Sequence, residues 1–540
     1  MKARLLYADR DLDWDAPPVP EAADLTRDLA LDTLFDAMAD GDDFLRDTAR
    51  QVVLTSLTEP DAIVYRQRIL GDFLRRPGLL TEMYRLVVET IDAEHRIWPT
   101  FLRSPTSIMH RAVQAMELYA GRLRELRRIA DRYADDVRSP GLVRFLGMLR
   151  AELDDACFDV MDEHLRRLRF RNGVMVGARL GQGCKGTGYV LRRPGPRPSW
   201  RERLAGQGPP SYTYRLPDRD EAGARALAEL RDRGVALAAD ALARSADHIL
   251  GFLRMLDREL GFYLACLNLH RKLTAKGEPL CVPTPLPTGR PTLVCHGLYD
   301  TCLSLRREER VVGNDVDAED TALLVVTGAN EGGKTTFLRS VGLAQLMTQA
   351  GMFVSADSFT AGVRTRLFTH FRREEDEEME SGKLDEELAR MSAIADEVTP
   401  GALVLFNESF AATNEREGSE LGRQITGALL DCGVKVVLVT HLYGLAHGLY
   451  AGPPEGKAVF LRAERRADGT RTHRLVPGEP LPTSFGADLY RNVFGEPART
   501  AAGPAPDPPA ESPRDAPAPA ASDLCPSPDV ESSGVRDVTK

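Results

Sequence analysis

The sequence predicts a multidomain protein, an all-α region followed by an α/β domain of the phosphate-loop NTPase class. Three observations carry that expectation. At 540 residues the chain is too long for one ordinary domain. From Leu31 apolar residues recur three and four apart, the period of a helix, whereas after Pro291 short β-branched runs alternate with helical stretches, as in an α/β layer. The third is LLVVTGANEGGKTTFLR at 323–339, where Gly328, Gly333, Lys334 and Thr335 satisfy G-x-x-x-x-G-K-[ST].

The context of that motif agrees with its chemistry. Leu323 to Val326 reads as a buried strand, and Thr336 to Gln349 as a helix. The glycines between them let successive N–H groups turn inward onto phosphate oxygens, at a helix end whose dipole favours anions. Lys334 is expected to reach the β- and γ-phosphates of a nucleoside triphosphate, and the Thr335 hydroxyl to sit on Mg²⁺.

Composition sets outer bounds. Apolar and charged fractions of 43% and 28% are those of a globular protein. No run of about eighteen apolar residues occurs, and Met1 to Arg10 lacks the apolar stretch of a secretion signal, so a cytoplasmic protein with no membrane contact is expected. The eight cysteines include no C-x-x-C pair, which suggests neither a zinc site nor a disulfide framework. A net charge of −10 argues against a uniformly basic nucleic-acid binder and leaves room only for a local basic patch.

In chain order, residues 1–30 are rich in Asp, Pro and Ala and read as a flexible arm. Residues 31–290 read as helical. Thr58 and Pro60 mark a helix start as cap and first-turn residue, and that helix ends before Pro77. The long charged stretch 108–170 fits either a projecting arm of antiparallel helices or an ordinary solvated bundle, and periodicity does not separate the two. At about 171–193 alternating Val174 and Val176, a glycine-rich turn and Tyr189 to Leu191 read as a β-hairpin. Between Arg166 and Arg203 eleven basic residues face the single acid Glu202. A phosphate backbone would touch the protein there, with Arg179, Lys185, Arg192, Arg193 and Arg197 as candidates, although Pro194, Pro196 and Pro198 suit a basic loop without a partner equally well. An apolar helix running on from Glu221 should be buried, and Pro283 to Pro291 separates it from the nucleotide domain at 291–497. The Pro/Ala-rich tail 498–540 should be disordered.

Two further strands complete the expected site. ALVLFNE at 402–408 is a buried run ending in two polar residues. Asn407 stands where an aspartate ordinarily holds Mg²⁺ through water, and Glu408 where a carboxylate orients or deprotonates the attacking water. An ordinary acid at a strand end is the plainer reading of Glu408. His441, directly after VKVVLVT, is placed to meet the γ-phosphate, against the commoner role of a structural histidine. Ser381 and Gly382 in MESGKLDEEL stand at a helix start suited to an anion, and the acids from Glu374 to Glu380 before them suit a solvated face.

Together these segments resemble the MutS family of DNA mismatch repair ATPases. The resemblance is carried by TGANEGGKTTFLRS at 327–340, GMFVSADS at 351–358, RLFTHF at 366–371, SGKLDEEL at 381–388, LVLFNES at 403–409 and VTHLYGL at 439–445, in the family's order. It implies a nucleotide domain of the ABC/MutS type. SLTEPDAIVYRQRIL at 56–70 and the helices after it look like the family's core and lever. By that resemblance Gly328, Ala329, Asn330, Glu331, Gly332, Gly333, Lys334, Thr335 and Thr336 bind ATP. Thr335 and, through water, Asn407 hold Mg²⁺. Glu408 is catalytic, His441 is the switch histidine, Ser381 reaches the ATP of a partner subunit, and the protein is a homodimer acting on DNA. Asn314-Asp315 resembles the adenine-side segment.

The sequence also departs from the pattern. Asn407 replaces an aspartate and Glu331 a methionine. The chain starts at the core, so the domain whose Phe-x-Glu wedge reads mismatches, and the connector behind it, are expected to be missing. The implied function is a nucleotide-driven dimeric clamp in DNA repair or recombination, its hydrolysis slowed by Asn407. The alternative is an ATP-dependent dimerising scaffold for a protein or RNA.

Overall fold

The computed structural model describes residues 1–97, 104–171, 173–193, 212–373, 382–452, 457–466 and 470–482. The helical part contains α1 (Ala22–Asp28), α2 (Leu31–Ala39), α3 (Asp43–Leu54), α4 (Pro60–Arg75), α5 (Pro77–His95), α6 (Pro105–Tyr133), α7 (Pro140–Glu152), α8 (Asp155–Leu168) and α9 (Glu221–Ala275). Local chemistry sets many of the starts. Asp42, Ser104, Ser139, Asp154 and Asp220 each accept a hydrogen bond from a first-turn N–H, and Pro60, Pro77, Pro105 and Pro140 occupy first turns where no N–H is needed. At α4 the cap position falls on Glu59 rather than Thr58.

The 55-residue α9 runs the length of this part. Its second half is buried through Leu256, Leu260, Phe262, Tyr263, Cys266 and Leu269, and its first half packs on α6 and on a hairpin of β1 (Val176–Leu180) and β2 (Gly186–Leu191). α6 packs also on α5, α7 and α8. Among the described residues no helix is long and apolar enough to cross a membrane.

The expectation of a flexible arm at 1–30 is corrected. Leu5 and Leu6 are fully buried. Leu5 N donates to Glu259 Oε2 at 2.8 Å, Tyr263 Oη donates to the Leu5 carbonyl at 2.7 Å, and Arg66 Nε donates to the Leu6 carbonyl at 2.7 Å. The apolar run Leu5-Leu6-Tyr7 is too short to show a period, and side chains from α4 and α9 satisfy its backbone groups. Only the tertiary partners reveal that it is held.

Beyond α9 lie two sheets. Among the described residues a six-stranded sheet has the order β12 (Arg471–Pro477), β11 (Lys457–Arg465), β6 (Thr321–Thr327), β10 (Lys435–Val439), β9 (Leu403–Asn407), β8 (Leu367–Phe371). The run from β11 to β8 is parallel, and β12 returns antiparallel along β11. A second, mixed sheet orders β3 (Thr284–Leu286), β7 (Ser358–Gly362), β4 (Leu293–Leu298) and β5 (Asn314–Ala318). The helices here are α10 (Thr301–Arg306), α11 (Lys334–Gln349), α12 (Lys383–Glu397), α13 (Glu415–Asp431) and α14 (Tyr443–Ala451).

Strand alternation explains why both faces of the large sheet are covered. Leu324, Val326, Leu405 and Val437 join one apolar cluster with α11 and the helical part, while Leu323, Val325, Val404, Val436 and Leu438 join another with α12, α13 and α14. α11 is buried along nearly its whole length. A Cβ at Gly342 would come 2.7 Å from Leu29 Cδ2 and 2.9 Å from Leu405 Cδ1, so the missing side chain lets the helix lie close against both leucines. At its end Gln349 Nε2 donates to the carbonyls of Leu57 and Arg364, both at 2.9 Å, and the Gln349 carbonyl accepts from Leu57 N at 2.9 Å.

Glu259 supplies a stability test. Burial pushes its carboxyl up to about 7, and its second oxygen has no partner. A carboxyl raised above its unfolded value supports the fold at low pH and withdraws that support as pH rises through about 7. Glu259→Gln keeps an acceptor for Leu5 N and removes the titration. Denaturant unfolding at pH 5 and pH 8 should show the variant gaining about 2–3 kcal/mol on the native chain over that interval. An interval-independent difference would contradict the assignment.

Candidate functional site

Three neighbouring parallel strands, β6, β10 and β9, end on one edge of the large sheet and release their following residues together. Outside the carboxyl ends of such strands is where α/β sheets bind ligands. β6 runs into Gly328, β9 ends at Asn407 before Glu408, and β10 leads through Thr440 to His441. Cross-strand bonds fix the exits: Glu408 N donates to the Val439 carbonyl at 2.9 Å, and Thr440 N to the Val326 carbonyl at 3.2 Å.

The glycine-rich loop 328–333 depends on its glycines at both ends. Gly328 has φ 114° and lies so close to β11 that a Cβ there would sit 2.8 Å from Ala463 N. Gly333, at φ 91°, turns the chain into α11 and provides no side-chain cap, leaving the helix's first N–H groups open to an anion. Lys334 folds back over the loop. Its Nζ donates to the Gly328 carbonyl at 3.0 Å, the Ala329 carbonyl at 3.1 Å and Asn330 Oδ1 at 3.4 Å. Burial pushes this ammonium below its ordinary value, opposed by the Glu408 charge and reinforced by Arg471.

Thr335 Oγ1 donates to Asn407 Oδ1 at 3.0 Å, joining the first turn of α11 to the end of β9. His441 Nδ1 stands 3.6 Å from Glu408 Oε2, within ion-pair range but beyond a hydrogen bond. The neighbouring imidazole of His441 first, then charge from Lys334 and Arg372, hold the Glu408 carboxyl below its ordinary range against the effect of partial burial. A cleft of about 160 Å³ beside them is lined by Thr327, Gly328, Thr440, His441 and Tyr443. A larger hollow of about 740 Å³ between α6, β1 and α9 shares no residue with this cluster and is mainly apolar.

Lys334, Thr335, Asn407, Glu408 and His441, expected from three separate segments, thus meet at one sheet edge. Other expected residues fall elsewhere. Ser381 and Arg197 lie outside the described residues, as does the tail 498–540. Arg179, Lys185, Arg192 and Arg193 are exposed on the hairpin or just after it, and among the described residues none of the four has an acidic partner. Asn314 spends its amide on β12, donating to the His473 carbonyl at 3.3 Å and accepting from Leu475 N at 2.7 Å. Sequence reading missed Arg471. It reaches back from β12 to bind Glu331 Oε2 at 2.7 Å, with only 12% of its side chain exposed. No local signal marks it, because the contact depends on β12 folding back along β11.

Comparison with known proteins fits this geometry. A model of the MutS2 N-terminal domain matches residues 58–276, and a model of MutS domain V matches residues 324–493. Similar relatives include the DNA mismatch repair protein MutS of Thermotoga neapolitana, 33% identical over 33% of this chain and 22% of its own length. The MutS of Chloroflexus aurantiacus is 28% identical over 32% of this chain and 19% of its own length. Endonuclease MutS2 of Thermus thermophilus is 35% identical over 23% of this chain and 17% of its own length. The matched stretches span about a fifth of each relative. Two domain models in series, together covering well over half of the sequence, and relatives carrying both the MutS and the MutS2 names agree that the chain belongs to the MutS family.

Proposed function

We propose that this chain binds and hydrolyses ATP and that its nucleotide state controls a paired helical clamp on DNA, in repair or recombination. The observation that carries the reading is the meeting of Lys334, Thr335, Asn407, Glu408 and His441 at the ends of three adjacent parallel strands. The site suits ATP and Mg²⁺ on its own chemistry. Lys334 is a buried cation whose direct partners are all neutral oxygens, so an anion is its natural counterpart.

The backbone from Gly328 to Thr336 would cradle phosphates, with Lys334 exchanging loop carbonyls for phosphate oxygen. Thr335 and, through water, Asn407 would hold Mg²⁺, which when bound neutralises charge on the phosphoryl group being transferred. Glu408, kept ionised beside His441, orients the attacking water and accepts its proton. His441 reports the γ-phosphate, and Ser381 reaches the nucleotide of a second copy in a homodimer. Residues 31–290 work as core and lever and 291–497 as the ATPase domain of a cytoplasmic protein. The burial of α11 against Leu29 and Leu57 supports coupling, because a shift at the loop is felt in the helical part. Exposed Arg179, Lys185, Arg192 and Arg193 are the proposed DNA contacts, joined by Arg197. The relatives' names, mismatch repair protein and endonuclease, agree with DNA as the partner.

Purified chain should hydrolyse ATP, and duplex or branched DNA should raise the rate. Glu408→Gln should lower turnover about 100-fold or more while ATP still binds. Turnover indifferent to every DNA would favour a scaffold for a protein or RNA instead. Charge reversal at Arg179, Arg192 and Arg193 should weaken DNA binding at all sequences and reduce the salt dependence of log K by about 3. An unchanged slope removes the hairpin from the interface. Asn407→Asp restores a charged acceptor beside Thr335 and should tighten Mg²⁺-dependent binding about tenfold, read by metal titration of nucleotide affinity. No gain would refute the role given to Asn407.

A further inference from the structure

Behind Glu408, on the side away from the nucleotide loop, lies a buried hydrogen-bond circuit that joins β8, the turn after β9 and α12. His370 on β8 is fully buried. Its Nδ1 lies 2.7 Å from Ser409 Oγ, and its Nε2 lies 3.0 Å from the Glu387 carbonyl on α12. A carbonyl only accepts, so Nε2 carries the hydrogen. Burial holds the ring neutral, its pKa pushed down to about 4, so Nδ1 is an acceptor, and the one Ser409 hydroxyl hydrogen lies between it and the His370 carbonyl, which accepts from Ser409 Oγ at 2.6 Å. The Glu387 side chain, also buried, accepts from Phe410 N through Oε2 at 2.9 Å. The Phe410 ring stacks on His370 with centroids 5.5 Å apart.

The residues gripped here follow Glu408 directly, and their backbone is unusual. Glu408 and Phe410 have φ of 54° and 63°, a region that residues with side chains rarely adopt. Such a conformation persists only where its surroundings over-determine it. From one side β10 holds Glu408 N, as described above. From the other, α12 holds Phe410 N through Glu387, and His370 holds Ser409. The aim of the Glu408 carboxylate is therefore set jointly by β10 and α12.

We propose that Glu387, through Phe410 and the Ser409–His370 pair, is a positioning residue that ties the aim of Glu408 to the placement of α12. This rests on the reading of Glu408 as the carboxylate that orients water.

The test uses the full chain and four variants, with ATP affinity from a fluorescent analogue and kcat from phosphate release. Glu387→Ala should lower kcat about tenfold or more, with ATP affinity unchanged within about twofold, because a misplaced group costs rate rather than binding. Glu387→Gln retains an acceptor oxygen for Phe410 N and should recover most of the loss. Ser409→Ala removes one hydroxyl and should reproduce the kcat-only loss even if Glu387→Ala does not fold. Unchanged kcat in Glu387→Ala or Ser409→Ala, beside a dead Glu408→Gln, overturns the coupling and leaves the ATPase reading standing. Equal losses in the Ala and Gln variants of Glu387 overturn it too. An active Glu408→Gln overturns the ATPase reading and the coupling together.

Discussion

The burial of α11 is the constraint from which the rest of the molecule follows. One of its flanks lies on the parallel sheet and the other on α1 and α3, and only its first turn and Arg339 are appreciably open. A helix so enclosed has one end through which its unpaired N–H groups can meet an outside ligand, and that end opens onto the glycine-rich loop. The same enclosure forbids α11 from moving alone. Gly342 lies close against Leu29 and Leu405, and Gln349 is bonded at once to Leu57 and Arg364. Any displacement of the helix is shared between the sheet and the helical part.

Charge at the sheet edge is arranged around a neutral gap. Lys334 is buried among uncharged oxygens, and Glu408 is held ionised beside His441. Between them the Thr335 hydroxyl meets an amide, Asn407, where a second carboxylate would have given fixed negative charge. The loop instead has its carboxylate on the rim, at Glu331, where Arg471 takes it up. That negative charge is thus spent on the Arg471 guanidinium rather than at the Thr335–Asn407 pair.

What the sequence reveals about this arrangement follows the range of each interaction. The loop 328–333 and the runs ending at Asn407 and Val439 are local patterns and were legible as such. Their meeting was legible only through the family resemblance, since nothing in a strand's composition tells that β10 lies between β6 and β9. Arg471, His370 and Glu387 were silent for the same reason, because each acquires its partner through a fold-back or a crossing. The Leu5–Tyr7 segment shows the opposite failure. Its composition resembled a loose arm because averaging over thirty residues hid three apolar side chains whose partners lie on α4 and α9.

α9 turns these local facts into a question of leverage. The hairpin packs near Gly234, against Val176, while the buried end of the helix surrounds Cys266. Those points are separated by about 48 Å of continuous helix at 1.5 Å per residue. A tilt of about 5° at the buried end would sweep the hairpin through roughly 4 Å. A small rotation at the base is thereby magnified into a displacement of several ångströms at the hairpin.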